Sequence, residues 1–239
     1  SAIRRQGFDV DAQDRNGGSR EMQILNYKQQ QYRLFPLVAA SYCFLFSGRK
    51  IMSDLTEVEK RLVSGDKDIT KNQVSDIHAS TSALKAFTTI VAAEGMEDCR
   101  KACGGHGFLE CSGLPELINT YLQNPTVEGD NHMLPQQVVK VLLKLVAEIQ
   151  SGDEKVSFNW KLCEASYLIE PIKSIFNGEA LICDVKDREG FLDIDVMLSA
   201  FKHRCARLLV EVAAQIHRST VEGNSMQVAW NDALVQMAR

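Results

Sequence analysis

The chain has 239 residues, of which 45% are hydrophobic and 24% charged. That length buries a core in one large or two small domains, and the balance excludes disordered, collagen-like and membrane-embedded classes. No apolar run reaches the roughly 18 residues of a membrane span, and 27 basic against 31 acidic residues leave a net charge of −4, so no broad positive field recommends a nucleic-acid partner.

The chain opens on Ser1, Ala2, Ile3, Arg4, Arg5 and Gln6 with no signal-peptide pattern, and it closes on Met237, Ala238 and Arg239 without a Gly or Pro stop. Both ends read as cut, so a piece of a longer protein is expected. Residues 7–20 are polar and glycine-rich and read as a loop, with Ser19 placed to cap the next helix. From Met22 to about Arg49 runs a long apolar-rich helical segment, in which Pro36 is expected to kink the helix without ending it. Asp54 and Glu57 have the spacing of a capping box, predicting a short helix that Gly65 closes.

Val74, Ile77, Thr81, Leu84, Thr88 and Val91 recur in steps of three and four, predicting a bundle helix that stops at Gly104 and Gly105. Residues 106–125, with Gly113, Pro115 and Pro125, read as a connection of a length that usually has a function. Val138, Val141, Leu142, Leu145, Val146 and Ile149 predict another amphipathic helix, ending near Ser151 and Gly152. Helices are expected over about 158–177 and about 191–218, the latter with Phe191, Ile194, Leu198, Phe201, Cys205, Leu208, Val212 and Ile216 on one face, and a last one from Met226. The stretch 180–185 is a weak strand candidate. The fold class expected is all-α: a helical bundle domain over 1–152 and a second helical domain over 153–239.

Seven cysteines, an odd number without a CxxC pair, suit a reducing interior. Cys99, Cys103 and His106 have helical spacing, but zinc wants four ligands from well-separated pairs and a glycine pair interrupts the run. Buried thiols near a helix end, and no metal, are expected.

Two stretches have the wrong composition for mere packing. In Cys103-Gly104-Gly105-His106-Gly107-Phe108, glycines permit positive φ and leave backbone N–H groups free to form an anion nest. The run follows a helix, not a strand, so it is no Rossmann fingerprint, and a Gly-rich helix C-cap is the alternative. In Thr126-Val127-Glu128-Gly129-Asp130-Asn131, a carboxylate beside a glycine can meet a substrate unhindered, as a general base must. Helix capping by Asp130 or Asn131, with Glu128 near the helix dipole, is the alternative there.

These stretches also occur in a larger order. SAIRRQ, ILNYKQQQYRLFPLVAASY, HASTSALKAFTT and CRKACGGHGFLECSGLPELINTYLQNPTVEGDN, spread over residues 1–146, strongly resemble the peroxisomal acyl-CoA oxidases, flavoproteins of the acyl-CoA dehydrogenase superfamily. The likeness continues more faintly through AFKHRCARLL and AWN. It implies FAD as cofactor, fatty acyl-CoA and O₂ as substrates, trans-2-enoyl-CoA and H₂O₂ as products, a homodimer or an assembly with the missing N-terminal and β-domain portion, and a peroxisomal location. It implies Glu128 as the base for the α-proton, with Gly129 beside it on the substrate side. Arg4 matches an arginine of the FAD diphosphate region, Gly104 and Gly105 a loop against the flavin nucleotide, and Asp130 and Asn131 further cofactor contacts, for which capping stays an equal alternative.

Three positions depart from the family pattern. Lys28 stands where a glutamine usually faces the diphosphate, Val127 replaces an aromatic, and Pro135 falls early in the next helix. The family also needs an N-terminal helical domain and a β-domain to enclose the flavin. Neither is found in the chain, which by itself is not expected to hold FAD. Acyl-CoA dehydrogenase chemistry and a non-catalytic helical assembly module are the competing readings.

Overall fold

The helical periods of the sequence fold into nine α-helices among the described residues: α1 (Lys28–Val63), α2 (Lys71–Ala102), α3 (Leu114–Tyr121), α4 (Leu134–Gln150), α5 (Val156–Asn159), α6 (Ile169–Phe176), α7 (Arg188–Phe191), α8 (Ile194–Val221) and α9 (Met226–Met237). The computed structural model of the chain describes residues 5–13, 19–66, 71–152, 155–179, 183 and 185–238, with side chains from residue 22 onward. The all-α class holds with one addition, an antiparallel hairpin of β1 (Arg5–Gln13) and β2 (Ser19–Gln23). No described helix is long and apolar enough to cross a membrane.

The hairpin corrects the expected loop over 7–20, and Ser19 pairs with Gln13 in the ladder instead of capping a helix. Phe8, Val10 and Ala12 alternate with Asp9, Asp11 and Gln13, and Asn16-Gly17-Gly18 comes next, which is a strand-and-turn signal. Asp54 and Glu57 cap nothing, because α1 runs unbroken from Lys28 to Val63. Pro36 and Gly48 lie inside it, each a local cost that a long hydrogen-bonded helix absorbs. The end near Gly65 is as expected: Gly65 has φ of 72°, and the N–H groups of Gly65 and Asp66 donate to the carbonyls of Leu62 and Arg61. The candidate strand at 180–185 lies largely outside the described residues.

By its internal contacts the chain divides into two units, residues 1–50 with 87–128, and residues 51–86 with 129–239. In the first unit, α1 and α2 run antiparallel, because their partners fall in number on one as they rise on the other. Gln30 donates to the Ala102 carbonyl, Arg33 holds the Asp98 carboxylate with its closest contact at 2.6 Å, and Phe44 meets Phe87 edge-on with centroids 6.0 Å apart. Gly95 of α2 lies against Leu37 of α1. A Cβ there would lie 2.9 Å from Leu37 Cδ2. Hydrogen bonding to Arg33 holds the Asp98 carboxyl below the usual carboxylate range.

The second unit holds the continuous apolar core. Leu145 and Val146 of α4 pack with Val156, Trp160, Leu168, Ile169 and Ile172, and with Ala206 and Leu209 of α8. A second cluster joins Val212 and Ile216 of α8 to Ala229, Ala233 and Met237 of α9. Each such Leu or Ile contributes about 1.5–3 kcal/mol by leaving water. The α4 face is thus the predicted one. The α8 face is not: Phe191, Ile194, Leu198, Phe201 and Cys205 are exposed, and burial begins at Ala206. Period alone marks an apolar stripe but not how much of its length is covered. On α2, too, the buried positions are small or polar (among them Gln73, Asp76, Ala79, Ser82 and Ala86), one or two positions away from the expected stripe, and Val74 is exposed. The single helix expected over 158–177 is interrupted: Asp76 accepts hydrogen bonds from the N–H groups of Glu164 (2.7 Å) and Ala165 (3.0 Å), so a tight turn opens there and leads into α6.

Asp76 is buried, and that burial raises its pKa against the opposing pull of the two N–H donors. A folded-state pKa above the unfolded one means that the group favours the fold most when protonated. Its contribution is fully present below the unfolded value of about 3.9 and is lost as pH rises through the higher folded value. Glu97 has the opposite sign. Its hydrogen bond to Arg100 lowers its pKa to about 2, so its contribution is present at neutral pH and lost only in strong acid. Denaturant titrations of wild type and D76N across mildly acidic pH are expected to differ in slope, the wild type gaining stability relative to the variant as pH falls. Equal slopes would mean that Asp76 is not held as described.

Candidate active site

The end of α2 sets the glycine-rich turn. Ala102 is the last helical residue, and Gly104 beyond it has φ of 62°, the left-handed conformation that stops a helix most cheaply with glycine. Gly107 has a different cause: it is buried, and a Cβ there would lie 2.1 Å from the Arg100 carbonyl oxygen. Gly105 has neither cause, since its φ is ordinary and a Cβ would meet nothing within 4 Å. Packing within the described residues leaves this glycine unexplained. Cys99 is half-buried, and burial pushes its thiol pKa up, whereas Cys103 is exposed.

The connection over 106–125 is more ordered than expected. Two tight turns (Gly104–Phe108 and Glu110–Ser112) lead through Gly113 into α3, which has Pro115 in its first turn and Glu116 beside it, a helix-start signal readable in the sequence. After Tyr121 a series of turns delivers Glu128 with φ of 57°, the one non-glycine residue with positive φ among those described. Holding a non-glycine residue there costs about 1–2 kcal/mol. Such outliers persist where neighbours impose them, and they cluster at working sites. The Glu128 side chain is exposed, and no described residue accepts a hydrogen bond from its backbone N–H.

From Gly129 the chain belongs to the second unit. Gly129 has φ of 112°, and a Cβ there would lie 3.0 Å from Leu134 Cδ2. Asp130 accepts from the His132 N–H at 2.8 Å and turns the chain toward α4. Asn131 is 7% exposed. Its amide donates to the Ala86 carbonyl at 3.0 Å, and its oxygen accepts from Lys85 at 2.8 Å. Lys85 also donates to the Gly129 carbonyl. The cap position of α4 is Met133, which forms no side-chain cap bond, and Pro135 occupies the first turn, where proline is tolerated. Asp130 and Asn131 therefore shape the approach to the helix without occupying its cap.

Lys28 is exposed at the first position of α1 and donates to Gln31 at 3.3 Å. Arg4 lies outside the described residues. Lys85 does not stand out in the sequence. Its only signal is a lysine between Leu84 and Ala86 in the HASTSALKAFTT stretch, on a helix whose neighbouring positions are small.

The family model of the acyl-CoA oxidase C-alpha1 domain matches residues 1–143. The chain belongs to the acyl-CoA oxidase family. It is 39% identical to the protein named peroxisomal acyl-coenzyme A oxidase 1 of Arabidopsis thaliana over 218 residues, which is 91% of this chain and 30% of that relative. Among solved structures, a tomato acyl-CoA oxidase superposes with a TM-score of 0.80 at 34% identity, covering 100% of this chain and 33% of the other. An acyl-CoA oxidase-2 from Caenorhabditis elegans, solved with FAD, ascaroside-CoA and ATP, superposes at 0.78 with 28% identity, covering 99% of this chain and 32% of the other. This acyl-CoA oxidase chain thus spans about a third of the length of the relatives it matches. The helical fold inferred from residue periods is the fold of that third.

Proposed function

We propose that this chain forms the part of an FAD-dependent acyl-CoA oxidase that carries the α-proton base, the complete enzyme converting fatty acyl-CoA and O₂ to trans-2-enoyl-CoA and H₂O₂ in peroxisomal β-oxidation. The observation that carries the reading is Glu128 itself. An exposed carboxylate is held in a left-handed turn beside Gly129, inside a segment that the family model matches. Peroxisomal location is the location named for relatives at 32–39% identity.

Glu128 Oε takes the proton from the carbon next to the thioester carbonyl. That proton is too weakly acidic for a bare carboxylate in water, so the thioester oxygen must be polarised as charge develops on it. The uncommitted Glu128 N–H is a donor suited to that task, and Gly129, without a side chain, leaves the approach open. FAD, when bound, accepts the β-hydride and passes the electron pair to O₂. The residues present fit that cofactor. Gly105 offers backbone with no crowding, and Lys28 places a cation at a helix N-terminus that has no acidic residue in its first turn, where an anion is favoured twice over. Gly104, Arg4, Asp130 and Asn131 complete the proposed cofactor set, and Gly129 lies on the substrate side.

All these residues fall within 1–152, which we assign as the cofactor- and substrate-bearing domain, with 153–239 a second helical domain. Tyr32, Phe35, Val38, Tyr42 and Phe46 stand exposed in steps of three and four along α1, which supports a partner covering this stripe, either a second copy or the remainder of the enzyme. The function is tested by adding acyl-CoA to the complete flavoenzyme under oxygen. One H₂O₂ per enoyl-CoA is expected. Turnover with an electron-transfer acceptor and no oxygen consumption would assign dehydrogenase chemistry instead, and no turnover would leave an assembly module.

A further inference from the structure

The segment that follows Glu128 in the chain is fastened to α2 at two points. Lys85 lies on α2, and its ammonium donates both to the Gly129 carbonyl and to Asn131 Oδ1. Asn131 is buried and uses its other amide atom on the Ala86 carbonyl, one residue further along the same helix. The residues immediately after Glu128 are therefore tied at two carbonyl-bearing points to a single turn of α2.

We propose that Lys85, acting with Asn131, is a positioning residue for the Glu128 base. It touches neither substrate nor cofactor; it holds the carbonyl of Gly129, one peptide beyond the one that leads out of Glu128, and so anchors the end of the turn in which Glu128 and Gly129 both take positive φ. The inference rests on Glu128 being the base. Misplacing a reacting group by about 1 Å can cost on the order of 100-fold in rate, so loss of the fastening should slow proton removal while leaving later steps alone.

The test uses the complete flavoenzyme with Lys85→Met, Lys85→Arg, Asn131→Asp and Glu128→Gln. In K85M, flavin reduction by acyl-CoA and α-proton exchange with solvent are expected to slow by about 10- to 100-fold. Acyl-CoA affinity and the rate of reoxidation by O₂ should stay unchanged, and amide hydrogen exchange over 128–133 should quicken. K85R, which restores a donor, should recover most of the rate. Should K85M fail to fold, N131D carries the test, because it keeps the acceptor for Lys85 but loses the donor to Ala86; about a tenfold loss at unchanged FAD content is expected, whereas a loss that follows lost FAD would assign Asn131 to the cofactor and overturn its positioning role. Wild-type proton exchange in K85M or N131D, or equal slowing of reduction and reoxidation, overturns the positioning role while E128Q still reports on the base. Wild-type exchange in E128Q overturns the base and, with it, this proposal.

Discussion

In the complete enzyme, replacing Glu128 by Gln is expected to lower the rate of flavin reduction by about 100- to 10,000-fold, the range that a positioned general base supplies. The amide has the same shape and cannot accept the proton. Because the side chain is exposed and makes no hydrogen bond or ion pair among the described residues, the fold should lose less than about 0.5 kcal/mol. Substrate binding should survive, so kcat falls and KM stays close to wild type, the signature of an interaction made in the transition state. Solvent exchange at the α-carbon is the direct measurement. An E128Q enzyme that still exchanges that proton at the wild-type rate would remove Glu128 as the base.

Trp160→Ala is the substitution expected to cost most in stability. Trp160 is 0% exposed, packed among Leu145, Leu168 and Ile172, and its indole N–H donates to Glu148 Oε2 at 2.7 Å. Removing a buried aromatic costs about 3–5 kcal/mol in lost contacts and cavity, a large share of the roughly 5–15 kcal/mol typical of a domain. Trp160→Phe separates the two causes, keeping most of the ring but leaving Glu148 without its donor, for about 1–3 kcal/mol. Denaturant midpoints measure both. A W160A variant within about 1 kcal/mol of wild type would show that the core does not close around this residue as described.

Helical periods make α2, α4, α8 and α9 readable as helices, but only on α4 does the apolar spacing of three and four residues also give the buried face; on α2 and the first half of α8 the stripe is not what the described residues bury. Boundaries are less readable, for reasons that differ from place to place. Asp54 and Glu57 have cap spacing, but spacing cannot tell a helix start from a continuing helix when no breaker precedes it. Over 158–177 the periodicity is helical, yet the break at Glu164 is imposed by Asp76, far away in sequence. The hairpin is masked by its glycines, which suggest a loop more loudly than the alternation of Phe8, Val10 and Ala12 suggests a strand. At the candidate site, motif order picks out Glu128 and the glycine turn. Lys85 stays invisible because its role depends on a bond across 44 residues.

Cys163 has a consequence of another kind. Burial pushes its thiol pKa up to about 12, and it lies in the same cluster as Trp160, whereas Cys43, Cys103, Cys111, Cys183 and Cys205 are exposed. Only a thiolate reacts with an alkylating reagent, so Cys163 stays unmodified while the others are consumed, and it becomes reactive when its surroundings admit water. The chain thus contains its own clock for breathing of the second unit. The interval before an alkyl group appears at Cys163, told apart by peptide mass from the half-buried Cys99, measures how often that core opens, under native conditions and without a label introduced by mutation.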